Sequence, residues 1–471
     1  MPKSPKRNTT LIRLLTALIA VLLIANGAVL YLQFKVPTDS APTVQPTEQP
    51  TTGTAAPATE AETEPPTTTL PEPAHVVSTA SILSTGDLLM HISVFNSGKQ
   101  SDGSYNFDSI FRYITDHVSA ADYSVANLEV TFAGTDNGFS YSGYPRFNCP
   151  DALADATKNA GFDMLLTANN HSYDTTLVGF KRTLEVVRAT GQETLGTYLS
   201  ADEQKWTIEE INGIKVGMLC YTYATGLGPK GTPRLNDNAE IGEAGICNYF
   251  TYDNLPAFYS EVGGYLEKMK AAGAEATVVY LHWGEEYKWK TGEGPNANQT
   301  AMAQKLCDMG VDVIVGGHPH VVQPVDLLTS GTDAEHKTIV LYSMGNAVSN
   351  QRKEEMQQSE PTGHTEDGVL FCVTFAKYSD GSVCVDSAEL IPTWVNMHAN
   401  SGSTEYNILP LEEATAAQWQ AQFGLTDTQL ANAKASFDRT QALTLPGMEK
   451  VQSYLAQQKQ PQENLPLDNA A

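Results

Sequence analysis

The stretch Val313-Ile314-Val315-Gly316-Gly317-His318-Pro319-His320 joins a buried-strand signal directly to two imidazoles. Consecutive β-branched residues predict a strand covered on both faces, and the paired glycines predict a tight exit from it. From an extended backbone, two imidazoles one residue apart can face a single site. Few structural roles require Gly-His-x-His after a buried strand, whereas a metal ion does. In open α/β sheets the carboxyl ends of the strands form the crevice where ligands bind. Polar side chains just beyond the other strands therefore become candidates for the same place.

Four further strand exits carry such side chains. The first is Gly86-Asp87-Leu88-Leu89-Met90-His91, where Asp87 can bind a hard cation or cap the following helix, and His91 adds an imidazole. Asn127-Leu128-Glu129 offers an amide oxygen and a carboxylate on one side of an extended chain, a pattern that a solvated strand end also produces. Ala168-Asn169-Asn170-His171-Ser172-Tyr173-Asp174 follows an apolar run, and its amides and imidazole are costly to desolvate without partners. There Asn170 suits a metal ligand and His171 a proton donor to a leaving group. Asp174 suits either an orienting partner for His171 or a helix cap. The last exit is Leu281-His282-Trp283-Gly284-Glu285-Glu286, an imidazole at the end of an apolar strand before a polar mouth; a satisfied core histidine is its alternative reading.

Of the 10 histidines, His91, His171, His282, His318 and His320 all fall in these exits. Imidazole, carboxylate and amide oxygen suit one or two divalent ions such as Mn, Zn or Fe, and the lack of a thiolate disfavours a soft metal. Two such ions a few ångströms apart can grip a phosphate and activate water for in-line attack.

Around the exits, short β-branched runs alternate with amphipathic helices. Strands are expected at residues 81–85, 123–127, 164–167, 215–221, 276–281, 311–315 and 338–342, which indicates an α/β fold. Phe107, Ile110, Phe111, Ile114 and Val118 mark one helical apolar face, and Leu177, Phe180, Leu184 and Val187 another. Asp380-Gly381 between two apolar runs predicts a hairpin. Beyond Pro392 the pattern weakens toward short helices at 411–423 and 427–437 and a polar tail.

The N-terminus has its own character. Lys3, Lys6, Arg7 and Arg13 precede an apolar run over residues 14–34, about the 20 residues that span a bilayer as a helix. The positive-inside rule then places residues 1–13 in the cytoplasm and the rest of the chain outside. A cleaved signal peptide is the other reading, and it too exports the remainder. Residues 35–77, rich in Pro, Thr, Ala and Glu, are expected to be a disordered tether. The expected organisation is thus a basic terminus (1–13), a transmembrane signal anchor (14–34), a tether (35–77), an α/β domain (78–395) and a helical extension with a tail (396–471).

The formal charge of −25 argues against a nucleic-acid partner, because nothing would replace phosphate counterions. It does not exclude an anionic substrate, since a bound metal reverses the local sign. The six cysteines show no Cys-x-x-Cys pair; Cys220, Cys307 and Cys372 sit in apolar runs and read as buried thiols, with a disulfide left open by export.

Taken in order and spacing, these blocks resemble the CapA family of capsule or poly-γ-glutamate synthesis proteins, with a calcineurin-like metallophosphatase fold. The resemblance covers about Ser81 to Pro392. It includes Tyr144-Pro145-Arg146-Phe147-Asn148 and Tyr342-Ser343-Met344-Gly345-Asn346. It implies a metallophosphatase-like β-sandwich flanked by helices. It also implies Asp87 and Glu129 as carboxylate ligands, Glu129 standing where these phosphatases place a bridging Asp. Asn170, His282 and His318 would complete the second metal site, His320 the first, and His171 would be the proton donor. The superfamily's first block is Asp-x-His, so His91, four residues after Asp87, departs from it. Arg146 has no counterpart there, though its guanidinium suits a substrate carboxylate; Asn127 and Glu285 complete the candidates. The implied role is a metal-dependent, phosphoesterase-like hydrolase in surface-polymer assembly, or alternatively a non-catalytic subunit binding an anionic surface polymer beside a membrane synthase.

Overall fold

The computed structural model describes residues 74–459 except 137, 237, 238, 291, 401, 402, 413 and 414. The chain divides into two units, Met1–Pro71 and Glu72–Ala471, and the described residues belong to the second. The anchor expected at 14–34, the basic terminus, nearly all of the tether and the end of the polar tail lie outside them. Within the described residues no helix is long and apolar enough to cross a membrane.

The chain lays down strands in three runs. β1 (Val76–Leu88), β2 (Tyr123–Leu128), β3 (Met164–Leu166) and β4 (Glu193–Leu195) come first. β5 (Thr207–Ile211) and β6 (Ile214–Tyr223) follow, then the short β7 (Gly226–Leu227), β8 (Pro233–Leu235) and β9 (Ala239–Glu240). β10 (Tyr249–Phe250), β11 (Ala276–His282), β12 (Val313–Gly317), β13 (Val325–Thr329) and β14 (Lys337–Leu341) complete the second run. β15 (Asn346–Val348), β16 (Asp367–Tyr378), β17 (Val383–Asn400) and β18 (Ser403–Pro410) return to the first.

Among the described residues these form two large sheets and one small one. The first sheet runs β18-β17-β16-β1-β2-β3-β4 with β15 beside β1, and the second runs β10-β6-β11-β12-β14-β13 with β5 beside β6. β1, β2 and β3 are mutually parallel, as are β6, β11, β12 and β14, so each sheet has carboxyl ends gathered along one edge.

The apolar pattern explains the layering. Ile82, Val125 and Met164 of the first sheet meet Met218, Val278, Tyr280 and Val315 of the second in one buried cluster, which makes the two sheets a sandwich. On the first sheet's outer face pack α1 (Ile92–Ser97), α2 (Asp108–Phe111), α3 (Thr115–Ala120) and α4 (Ala152–Ala160), through Phe95, Phe111, Val118 and Leu153. α5 (Thr176–Ala189) follows β3 and buries Phe180, Leu184 and Val187. On the second sheet's outer face lie α6 (Leu255–Ala271) and α7 (Ala297–Asp308), through Phe258, Val262, Met302 and Leu306. A capping box between Asn296 and Gln299 satisfies the first amides of α7. Burial on both faces explains why the strands read as continuous apolar runs.

Two expectations need correction. The stripe from Phe107 to Val118 is buried throughout, yet it is split between α2 and α3 by a turn instead of forming one helix. Residue 395 is not a boundary, because β17 runs through it and pairs with both β16 and β18. The helical part begins later, with α8 (Ala416–Phe423) and α9 (Asp427–Gln458). α9 packs on β17 and β13, places Val451 and Leu455 in the core between the sheets, and is far longer than the 427–437 expected. At Gly447 a Cβ would lie 1.8 Å from the Val325 carbonyl oxygen, so only glycine permits this approach of helix to strand. The Asp380-Gly381 hairpin forms as read, with Gly381 at φ +88°.

Candidate metal centre

The exits of β1, β2 and β3 in one sheet, and of β11 and β12 in the other, converge at the same end of the sandwich. Asp87 is fully buried near the end of β1. The chain leaves this strand beside the Gly345 backbone: a Cβ at Gly86 would lie 1.9 Å from the Gly345 carbonyl oxygen. That requirement accounts for the glycine before the carboxylate. Asp87 Oδ1 accepts a hydrogen bond from Asn127 Nδ2 (2.7 Å), and its Oδ2 lies 3.1 Å from His320 Nδ1. Burial works against the Asp87 charge, but the hydrogen bond and charge of His320 outweigh it and hold the carboxyl below its ordinary value.

Glu129, one residue past β2, is equally buried. Its Oε1 lies 3.4 Å from His282 Nε2 and 3.8 Å from His320 Nε2. Neither carboxylate oxygen has a hydrogen-bond partner. Burial first, and then the Asp87 carboxylate, push its pKa well above the usual range. A buried, unpartnered carboxylate costs several kcal/mol unless a cation compensates it.

His282 ends β11, and its Nε2 is 2.6 Å from Asn170 Oδ1, so both side chains aim at the same point. Burial pushes this imidazole down to about 3. His318 follows β12 with φ +95°, and His320 has φ +55°; these left-handed backbones cost about 1–3 kcal/mol each and cluster at functional sites. The imidazoles thus meet the site from a sharply turned chain, not the extended one expected. His318 Nδ1 is buried without a partner, and burial together with His282 and His320 holds its pKa well below the imidazole value.

Tyr223, at the end of β6, lies parallel to the His282 ring at 6.5 Å and packs on His318 at 4.7 Å. His320 is the exception among the histidines. Burial opposes its charge, yet Asp87 raises its pKa above the ordinary value. Its Nδ1 faces both Asp87 and Asn346 Oδ1 (3.0 Å), which places the proton on Nδ1 and leaves Nε2 toward Glu129.

The ligand atoms of Asp87, Glu129 and His320 lie within 4.8 Å of one another, and so do those of Glu129, His282 and His318. Glu129 belongs to both groups, and Asn170 adjoins the second. Six residues expected to hold metal (Asp87, Glu129, Asn170, His282, His318 and His320) are therefore brought together. The unpartnered oxygens of Glu129 and the bare Nδ1 of His318 are atoms that a cation would satisfy. The donor set of oxygen and imidazole nitrogen fits divalent ions of the Mn, Zn or Fe kind.

Beside this cluster, His171 Nδ1 lies 2.7 Å from Asp174 Oδ2, and Asp174 is held in turn by the Phe147 amide (2.7 Å) and by Asn236 Nδ2 (2.6 Å). This fixes the imidazole through its Nδ1 and leaves Nε2 as the nitrogen turned away from Asp174. Asp174 thus orients His171, and the partners of its side chain are His171, the Phe147 amide and Asn236. The remaining candidates fall elsewhere. His91 accepts a hydrogen bond from the Asn350 amide (3.2 Å), stands edge-on to Phe147, and belongs to neither ligand group; burial lowers it to about 4. Asn127 turns its amide nitrogen to Asp87 and accepts from Asn169 Nδ2 (3.3 Å) through its oxygen, so it orients a ligand. Arg146 is exposed on a loop whose Pro145 carbonyl is held by Asn236. Glu285 is exposed, accepts from Asn296 Nδ2 (3.3 Å) and lines a neighbouring cleft.

Three residues of the site had no assigned role in the sequence. Asn346 pairs with Asp87 across β15 and β1, and its block belonged to the resemblance without a function attached. Asn236 and Tyr223 stand on segments without any distinguishing pattern.

Comparison with known proteins agrees with these blocks. The model of the bacterial capsule synthesis protein family PGA_cap matches residues 81–351, more than half of the chain. The chain belongs to the PGA_cap family. Among its relatives, the capsule biosynthesis protein CapA of Bacillus anthracis is 28% identical over 269 residues, 56% of this chain and 59% of the relative. The PGA biosynthesis protein CapA of Bacillus subtilis (strain 168) is 28% identical over 271 residues, 56% of this chain and 62% of that one. The matches thus span about 60% of these relatives' own lengths. A solved structure from Staphylococcus aureus, described as a 5'-nucleotidase in complex with alpha-ketoglutarate, shares 14% identity at a TM-score of 0.40, over 77% of this chain and 58% of that one. A likeness that loose is no guide to function. The PGA_cap match covers every ligand candidate and stops before β16, β17, β18 and α9.

Proposed function

We propose that this PGA_cap protein is a metal-dependent, phosphoesterase-like hydrolase of the metallophosphatase kind, acting in capsule or poly-γ-glutamate biosynthesis on the outer side of the membrane that anchors it. The observation carrying the reading is the pair of ligand groups sharing Glu129, whose two buried oxygens have no other partner. Asp87, His320 and Glu129 would hold one divalent ion, and Glu129, Asn170, His282 and His318 a second. When bound, such ions polarise a phosphoryl or carbonyl oxygen and lower the pKa of water. The chain's own part is to fix those ligands, through Asn127 on Asp87 and Asn346 on His320, and to hold a proton on His171. With Asp174 on its Nδ1, His171 presents Nε2 to a leaving group. The apolar run at 14–34 and the basic residues before it support an anchor with a cytoplasmic N-terminus. The relatives' names support the polymer pathway, and the partners proposed with it are membrane synthase subunits and an anionic surface polymer.

A second reading, an accessory subunit that binds polymer without turnover, draws on the relatives being named for biosynthesis and not for hydrolysis. The full chain, stripped with a chelator and reloaded with Mn, separates the two. Hydrolysis of a generic phosphomonoester or phosphodiester that disappears in His318→Ala and His171→Ala supports the enzyme. Stoichiometric metal with no turnover of esters or γ-glutamyl substrates sinks it and leaves the accessory role.

A further inference from the structure

Next to the candidate metal centre, and open to solvent, lies a cleft of about 610 Å³ whose wall, apart from His318, has no role in the proposed hydrolysis. Its lining includes Tyr223, Tyr252, Asp253, Glu285, Glu286 and His318, and among the described residues it contains no lysine or arginine. The carboxylates come from two separate segments, Asp253 from the turn before α6 and the glutamates from the exit of β11. Gly284, with φ +88°, turns that exit outward, and its amide donates to the Tyr252 hydroxyl (2.9 Å), which fixes the ring in the wall. His318 is 3% exposed, has an unpartnered Nδ1 and lines the same cleft, so the cleft is continuous with the ligand cluster. The exposed Glu286 also acts electrostatically on buried Glu129 and His320, which places it at the mouth of the centre.

Aromatic walls combined with carboxylates, and without a competing cation, are the chemistry that recognises an organic ammonium. A phosphate or a run of carboxylates would be repelled there, while the metal-ligand cluster at its floor suits the anionic group. We infer that this cleft is a specificity subsite for a primary ammonium, so that the substrate carries an amine beside the group held at the metal centre. This rests on the metallohydrolase reading and narrows its substrate class to amine-bearing chain ends or esters. A polyanion presented through its interior would not satisfy the cleft.

The probes are 2-aminoethylphosphonate and ethylphosphonate, which share a phosphonate and differ by the ammonium. Titration calorimetry on the Mn-loaded full chain should show the amine binding at least about tenfold tighter. Glu286→Gln and Asp253→Asn should each reduce that preference, and together abolish it. Equal affinity of the two phosphonates, or a preference untouched in both variants, overturns the subsite while leaving the metal-centre reading intact. Failure of either phosphonate to bind, with no Mn-dependent turnover of a generic ester, overturns both.

Discussion

The two halves of the candidate metal centre are built to different standards. Asp87 and His320 hold each other at 3.1 Å, and each is fixed again from behind, Asp87 by Asn127 and His320 by Asn346. Their pKa values move apart in the sense of an ion pair, the carboxyl down and the imidazole up. On the other side His282 and His318 are held neutral by burial, and His318 Nδ1 has no partner. The first half is a charge pair between the protein's own groups, whereas the second is a set of neutral imidazoles. Glu129 belongs to both and is satisfied by neither. A centre of this kind should retain its two ions unequally, with the Asp87 side preorganised and the His318 side dependent on the metal.

That contrast can be broken at several points. Glu129→Gln, which touches both halves, should remove both ions after dialysis and abolish metal-dependent turnover, read by metal analysis and ester hydrolysis; retention of either ion would show that Glu129 is not shared. Matched alanine substitutions should separate the halves in chelator-treated protein. His320→Ala leaves Asp87 buried and unpaired and should cost about 3–5 kcal/mol in denaturant unfolding. His318→Ala removes a buried nitrogen that had no partner and should cost much less; equal losses would erase the distinction. Asn346→Ala should weaken metal retention roughly 10–100-fold with little change in the second half, as expected for a residue that orients a ligand.

The pH dependence sharpens the same contrast. His282, at about 3, and His318 have folded pKa values below the unfolded value of 6.5. As pH falls below that value, the unfolded chain binds protons the folded one refuses. Metal-free stability should then decline by about 1.4 kcal/mol per pH unit for each such histidine. His320, raised above 6.5, contributes in the opposite sense: its stabilisation is complete below that value and is lost as pH rises through the raised one. His318→Ala should flatten the acid side of the profile, and His320→Ala the alkaline side. The smallest effect expected is that of Glu285→Gln, within about 0.5 kcal/mol and without change in bound metal, since this side chain is exposed and outside both ligand groups.

How much of the molecule was legible in its sequence depends on where each signal is stored. The strands before Asp87, Glu129, Asn170, His282 and His318 were readable, because burial on both faces of a parallel sheet leaves a continuous apolar run. The Asp380-Gly381 turn was readable from its local chemistry. The helical stripe at 107–118 misled because burial continues across the turn at residues 112–114, and periodicity reports burial before backbone. The extent of β17 and β18 was hidden for a different reason. Half-polar strands such as Thr404-Glu405-Tyr406-Asn407 declare themselves only through their partners. Glu285 and Glu286 were indistinguishable by neighbourhood, yet Glu286 is the one that acts on the buried Glu129 and His320.

From its residues alone this chain declared an α/β fold, five polar strand exits and the chemical kind of ion they suit, because those properties reside in local pattern and side-chain type. Tertiary structure decided that Glu129 serves two ligand groups, that Asn127 and Asn346 orient ligands, that Asn236 braces Asp174, and that His91, Arg146 and Glu285 stand outside the cluster. Each of those facts depends on distances of a few ångströms between segments tens to hundreds of residues apart, and no spacing along the chain encodes them.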